Sequence, residues 1–264
     1  MKQAVYFISH GSGPWPWIEQ WAEDYAGLRQ SLEHIATELP EKPKAILMIS
    51  AHWITQGHLA IMHQQQPKML YDYYGFPEHT YHIQYPAPSN PLLAEYIQNK
   101  LEQAHFSVIK DTERGFDHGA FVPLALAFPD ANIPVIQLSI ERHFDPAYHI
   151  RLGEALASLR EEGILIIASG LSFHNMRLFN AHGTQPSKEF DQWLRNALSQ
   201  ESNDRKEALI HWETAPSARI AHAMEDHLIP LMVAIGAAGN DMVEINYHED
   251  NVMGGVTVSS FKFG

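Results

Sequence analysis

The chain has 264 residues, 45% hydrophobic and 19% charged, and its 31 acidic against 18 basic residues give a formal charge of −13. With no cluster of Lys and Arg, nucleic acid and anionic membrane are excluded as expected partners. There is no cysteine, so disulfides, thiolate nucleophiles and cysteine-held metal sites are excluded too, and any metal has to be held by imidazole and carboxylate.

Residues 4–9 form a continuous apolar run, the signature of a buried strand in a parallel sheet. Over 19–38, Trp21, Tyr25, Leu28, Leu32 and Ile35 recur at a three-to-four spacing, which predicts a helix. A second buried strand is predicted at 45–50. The stretch 63–90 is the least regular, but six aromatic residues within 71–85 predict an ordered loop over a site. Pro88-Ser89-Asn90-Pro91 opens a helix at 91–104. A weak strand at 106–110, a strong one at 133–140, a helix at 146–162 and a strand at 164–169 follow. Helices at 187–200 and 217–238, the latter interrupted near Pro230, precede a last strand at 256–261. Alternating strands and helices predict one α/β domain over 1–264, with a mostly parallel central sheet flanked by helices. No run approaches a membrane span and the start of the chain has no signal-peptide core, so a cytoplasmic protein is expected.

Three of the strands break off into small-residue turns that carry a histidine. Ser9-His10-Gly11 follows the first, Ser50-Ala51-His52 the second, and Ser169-Gly170 leads on to His174. In open α/β sheets ligands bind outside the carboxyl ends of the strands, so a metal site is expected at that edge. His10 and His52, in matching positions, are candidate ligands, and His174 is a ligand or a base. His118, bracketed by Gly115 and Gly119, suits a tight turn or the site. His222 and His227 are five apart, which on a helix separates them by about 140°, so at most one of them joins the same ion. Spacing does not choose between these two or the neighbouring Glu225 and Asp226. His79 and His82 lie in the aromatic loop. The other histidines sit in helical or polar settings that suit surface or packing roles.

Seven segments, taken together, resemble the class III extradiol ring-cleavage dioxygenases, in the 4,5-DOPA dioxygenase branch of the LigB-like family. They are His10-Gly11-Ser12; Ser50-Ala51-His52-Trp53; Gly75-Phe76-Pro77 with Tyr85-Pro86-Ala87-Pro88; and Gly115-Phe116-Asp117-His118-Gly119. Gln137-Leu138-Ser139-Ile140, Ala168-Ser169-Gly170 through His174-Asn175, and Asp226-His227-Leu228-Ile229-Pro230 complete the set, in the family's order. The resemblance implies one divalent metal held by His10, His52 and His227. It places His174 as the acid/base, close enough to be a fourth ligand in a zinc form, and His118 near the substrate and dioxygen. It implies Fe(2+) for activity, with Zn(2+) as an ion the site also accepts, and a small aromatic diol and O2 as partners. The chain departs from the usual His-Gly-Ser-Pro by an inserted Gly13. Its implied ligands are all imidazole, where many relatives outside the branch use two histidines and a glutamate.

The implied activity is insertion of both atoms of O2 into a catechol of DOPA or caffeate type. Histidine suits the proton shuttle because its unperturbed pKa is about 6.5. The residues alone also allow a zinc-dependent hydrolase with His174 as base, or a non-catalytic binding protein on the same fold.

Overall fold

In the computed structural model, which describes residues 1–264, the apolar runs become the centre of one sheet. Its strands are β1 (Val5–Ser9), β2 (Ala45–Thr55), β3 (Leu59–Met62), β4 (Val108–Asp111), β5 (Val135–Glu141), β6 (Ile164–Gly170), β7 (Val243–Val252) and β8 (Val256–Phe263). They hydrogen-bond in the order β4-β3-β5-β2-β6-β1-β8-β7. β5, β2, β6 and β1 are parallel to one another, whereas β8 runs antiparallel to β1 and β7 antiparallel to β8. Every residue of β1, β5 and β6 is buried, because helices cover both faces of the parallel centre.

The helices are α1 (Ala26–Glu38), α2 (Pro91–Gln103), α3 (His118–Ala127), α4 (Pro146–Leu156), α5 (Thr184–Leu198), α6 (Ser202–Ile210), α7 (Ala218–Ala221) and α8 (Ile229–Ala238). α8 is apolar all round and buried at every position, packed between α4 and the strands β1, β2 and β6. No helix is long and apolar enough to cross a membrane.

Four local expectations are corrected. The helix predicted over 19–38 begins only at Ala26, after two short 3-10 turns at Trp15–Trp17 and Glu19–Trp21. The helix predicted over 217–238 divides into α7 and α8, and residues 222–228 between them are not helical. Pro230 therefore lies in the first turn of α8, where its missing N–H leaves no bond unmade. His118 opens α3 instead of a tight turn, capped by Asp117, whose carboxylate accepts the Ala120 N–H at 3.2 Å. β3, β7 and α6 were not predicted: β3 has four residues, and β7 is an exposed edge strand rich in polar side chains. The irregular stretch 63–90 is an ordered loop with one 3-10 turn at Glu78–His82. Tyr71 donates its hydroxyl to the Ile83 carbonyl and Tyr73 to that of Thr80, each at 2.6 Å.

Candidate metal centre

Strand register brings the first two histidines to one height. Ile8, Ser169 and Ser50 lie abreast in β1, β6 and β2, and His10 and His52 each come two residues later. The pairing of β2 with β5 slips between Ile49 and Ile54, an irregularity of the kind that re-aims a side chain, and His52 lies inside it. His227 arrives from the non-helical segment before α8. Its carbonyl accepts the Leu171 N–H at 3.0 Å, directly over Gly170. A Cβ on Gly170 would stand 2.1 Å from that oxygen, so only glycine lets this segment lie against the end of β6. α3 approaches β2 through Gly119 in the same way: a Cβ there would meet the Ser50 hydroxyl at 2.5 Å. His174 follows the end of β6 and is tied to the end of α7, just before that segment, by its N–H to the Ala221 carbonyl, at 3.0 Å.

The structure thus brings His10, His52, His118, His174 and His227 into one cluster. The ring centroids of His10, His52 and His227 are 4.9 to 5.2 Å apart. His118 lies 4.0 Å from His52 and 5.3 Å from His10. His174 stacks on His227 at 3.4 Å with the planes 14° apart. Two groups of donors are close enough for one ion each, His10 with His52 and His118, and His174 with Asp226 and His227. They join where His52 Nε2 and His227 Nε2 face each other at 3.3 Å.

Hydrogen bonds on the outer side of the rings fix which nitrogen faces inward. His10 Nδ1 is 2.9 Å from the Gly11 carbonyl, which only accepts, so Nδ1 carries the proton. His10 Nε2 is left buried and without a partner. Asp72 does the same for His118, Oδ1 taking its Nδ1–H at 2.8 Å, while Oδ2 lies 3.3 Å from Nδ1 of His52 without the alignment of a hydrogen bond. The backbone N–H of His118 also donates to Asp72, at 2.9 Å. Burial raises the Asp72 carboxyl, but the bonds from His118 outweigh it and hold the group at about 2. His227 Nδ1 is 3.1 Å from Asp226 Oδ2 without the alignment of a hydrogen bond. This is the carboxylate–histidine arrangement that orients metal-binding imidazoles.

Burial disfavours the charged form of His10, His52, His174 and His227. It pushes His10 and His227 well below the usual imidazole range, with neighbouring rings of the cluster adding to the effect, and brings His52 and His174 to about 4. Asp226 is pushed the other way, up to about 6, again by burial. Neutral imidazoles offering inward lone pairs are what a divalent cation needs. Two nitrogens on one tetrahedral ion, each bonded at the usual length, lie about 3.4 Å apart. The 3.3 Å separation of the His52 and His227 nitrogens matches that spacing. The residues present therefore fit a metal.

Other expectations about histidines also resolve. His222 is fully buried, but its ring packs edge-on to Phe190 and Trp212, and Nε2 lies 3.0 Å from the Ser172 carbonyl, away from the cluster. The helical angle between His222 and His227 does not apply, since the segment joining them is not a helix. His79 bonds the Trp17 carbonyl and His82 pairs with Glu78, both at the surface. Asp72 escaped sequence reasoning, its only signal being a lone carboxylate between Tyr71 and Tyr73.

Asp117, within the Gly115–Gly119 motif, is fully buried beside β2. It takes the Ser50 hydroxyl at 2.7 Å, the Arg114 guanidinium at 3.1 Å and the Gln137 amide. Ser50 Oγ then accepts the His52 N–H at 3.2 Å, and Arg114 donates to the His52 carbonyl at 2.9 Å. One carboxylate so fixes the backbone of His52 and the start of the helix bearing His118.

The cluster forms the floor of a cavity of about 490 Å3. Ser12, Gly13, Tyr73, Phe76 and Leu171 line it together with residues of the rim. At the inserted Gly13 the Phe76 ring lies where a side chain would be, 3.0 Å from a Cβ position.

Comparison with known proteins identifies relatives over nearly the whole chain. The family model described as the catalytic LigB subunit of aromatic ring-opening dioxygenase matches residues 4–262. A 4,5-DOPA dioxygenase extradiol of Beta vulgaris is 40% identical over 98% of this chain and 96% of its own length. One of Escherichia coli (strain K12) is 32% identical over 100% and 95%. The crystal structure of an uncharacterized protein from Escherichia coli K12 superposes with a TM-score of 0.79 at 28% identity, covering 99% of this chain and 100% of that one.

Proposed function

The chain belongs to the LigB family of aromatic ring-opening dioxygenases, and we propose that it opens a catechol by extradiol cleavage at one divalent iron held by His10, His52 and His227. Ring cleavage with dioxygen is the activity of the family, and the chain is an enzyme of that type. The observation that carries the ligand set is the meeting of three imidazoles from three separate segments, His10 and His227 buried and His52 half-buried, with His10 Nε2 unpartnered and the His52 and His227 nitrogens 3.3 Å apart. Bound there, iron would supply the electron transfer between a catecholate and dioxygen that no side chain performs.

The protein's own part is to place the ring and move one proton. The aromatic wall of Tyr73 and Phe76 confines a planar substrate above the cluster. His174, kept neutral by burial, accepts a proton from the diol at Nε2, the nitrogen opposite the Nδ1 that lies 3.8 Å from Asp226. The Asp226 carboxylate steadies the resulting imidazolium, and His174 returns the proton as the ring opens. His118, its Nδ1–H committed to Asp72, presents Nε2 beside His10 and His52, where diol and dioxygen meet. Zinc fits the same imidazoles but has no redox chemistry, so a zinc-filled protein is expected to be inactive.

The test is oxygen uptake by anaerobically iron-loaded protein mixed with DOPA, caffeate or catechol in air, with a yellow ring-opened product. His174→Ala should keep its iron and lose turnover by about a hundred- to ten-thousandfold, the usual share of a proton-transfer residue. Absence of oxygen uptake with every catechol would sink the proposal.

A further inference from the structure

From the rim of the cavity we infer that the preferred substrate is a catechol whose ring carries an uncharged, apolar substituent; this rests on the catechol-cleaving reading of the same site. With its two oxygens at the histidine floor, a catechol has one way out for a ring substituent, through the mouth of the cavity. The apolar lining residues that reach solvent, and so border that mouth, are Trp21, Tyr74, Phe76, Met176, Phe179 and Met253. Tyr74 is 91% exposed and Met176 59%, an uncommon outlay of apolar surface beside a site. Apolar area left open at the rim of a cavity is area that a ligand covers. Methionine, unbranched and polarisable, adapts to substituents of differing shape.

The charges point the same way. Asp72 is the one carboxylate or ammonium-type side chain lining the cavity, and no Lys or Arg lines it. Arg177, next to Met176 in sequence, is exposed to solvent and outside the lining. Arg219, on α7, is held in ion pairs with Glu213 and Glu225. A carboxylate on the substituent would enter this mouth with no cation to meet it and with Asp72 below. A charge taken from water without a partner is disfavoured. Each methylene that becomes buried instead improves binding by about fourfold.

Propylcatechol and hydrocaffeate give a matched pair, the same carbon chain with and without a carboxylate. Binding of each to zinc-loaded protein, which does not turn over, is followed by the fluorescence of Trp21 and its neighbours or by calorimetry. Turnover of each is then measured on iron-loaded protein. Propylcatechol is expected to bind about tenfold tighter than hydrocaffeate, and to exceed it by a similar ratio in kcat/KM. Met176→Lys, and independently Met253→Lys, places a cation at the mouth and should shrink or invert that ratio. Equal or tighter binding of hydrocaffeate by the unaltered protein overturns the inference, as does a ratio that neither lysine moves. Turnover of both compounds without preference refutes this inference and leaves ring cleavage standing. Oxygen uptake with no catechol, unsubstituted catechol included, removes both.

Discussion

Replacing Asp72 by Asn tests whether the inward-facing nitrogens bind metal. The carboxylate accepts from the His118 ring at 2.8 Å, and its other oxygen lies 3.3 Å from the His52 Nδ1, where its charge favours a proton on that outer nitrogen. An amide has one accepting oxygen. With that oxygen retained by the ring and backbone N–H of His118, the amide NH2 turns toward His52 Nδ1, donor against donor. His52 relieves the conflict by moving its proton to Nε2, which removes the lone pair directed at His227. Loss of such an outer partner costs about ten- to a hundredfold in metal affinity, or about 1.4–2.7 kcal/mol. The Asp72 side chain is 20% exposed, so the fold itself should lose about 1 kcal/mol or less, the net value of an ordinary hydrogen bond. Competition of Zn(2+) against a chelator gives the affinity, and urea unfolding of the metal-free protein gives the stability. An affinity equal to that of the unaltered protein would refute the tautomer reasoning. So would a large loss of stability, since the affinity change would then reflect a damaged fold.

Three further outcomes are expected. His227→Ala should lose its equivalent of iron while His118→Ala retains it, read by metal analysis of desalted protein; the reverse would make His118 the third ligand. Asp117→Ala leaves Arg114 facing a vacated buried site and should destabilise the protein by about 3–5 kcal/mol, measured by urea denaturation, and a loss below about 1 kcal/mol would contradict the network drawn around His52. His149 sits fully buried on α4, donating from Nδ1 to the Asp145 carbonyl at 2.8 Å and accepting the Glu141 N–H at Nε2, and burial brings it to about 4. Its folded pKa lies below the unfolded value of about 6.5, so the unfolded chain binds the extra proton and stability falls as pH drops through that window, by about 1.4 kcal/mol per unit. His149→Gln should remove that share of the slope in metal-free protein, and an unchanged slope would show that His149 does not titrate there.

What was legible in the sequence was whatever the backbone writes locally. The runs at 4–9, 133–140 and 164–169 became β1, β5 and β6 because strands covered on both faces need unbroken apolar residues. The same logic exposed His10, which directly follows β1; His52, expected just after a strand over 45–50, lies inside β2, which continues to Thr55. His227 was reachable only through resemblance: its place depends on the missing side chain of Gly170, far away in sequence, which lets residues 222–228 lie across the end of β6. Helical spacing misled there because Pro230 reads as an interruption within a helix, when it starts a new one. α3 was hidden by its own sequence, with Gly119 and Pro123 arguing against a helix that Asp117 nonetheless caps and the core buries at eight of its ten positions. Asp72 was the hardest to see. It belongs to no periodic element, and the tyrosines around it hold the loop by hydroxyl bonds to Thr80 and Ile83. Only part of what chooses the chemistry of the site, His10 and His52, is thus written in local pattern, while His227 is not. The parts that choose its protonation and its substrate, Asp72 and the apolar rim, are written in contacts between segments, which only the folded chain displays.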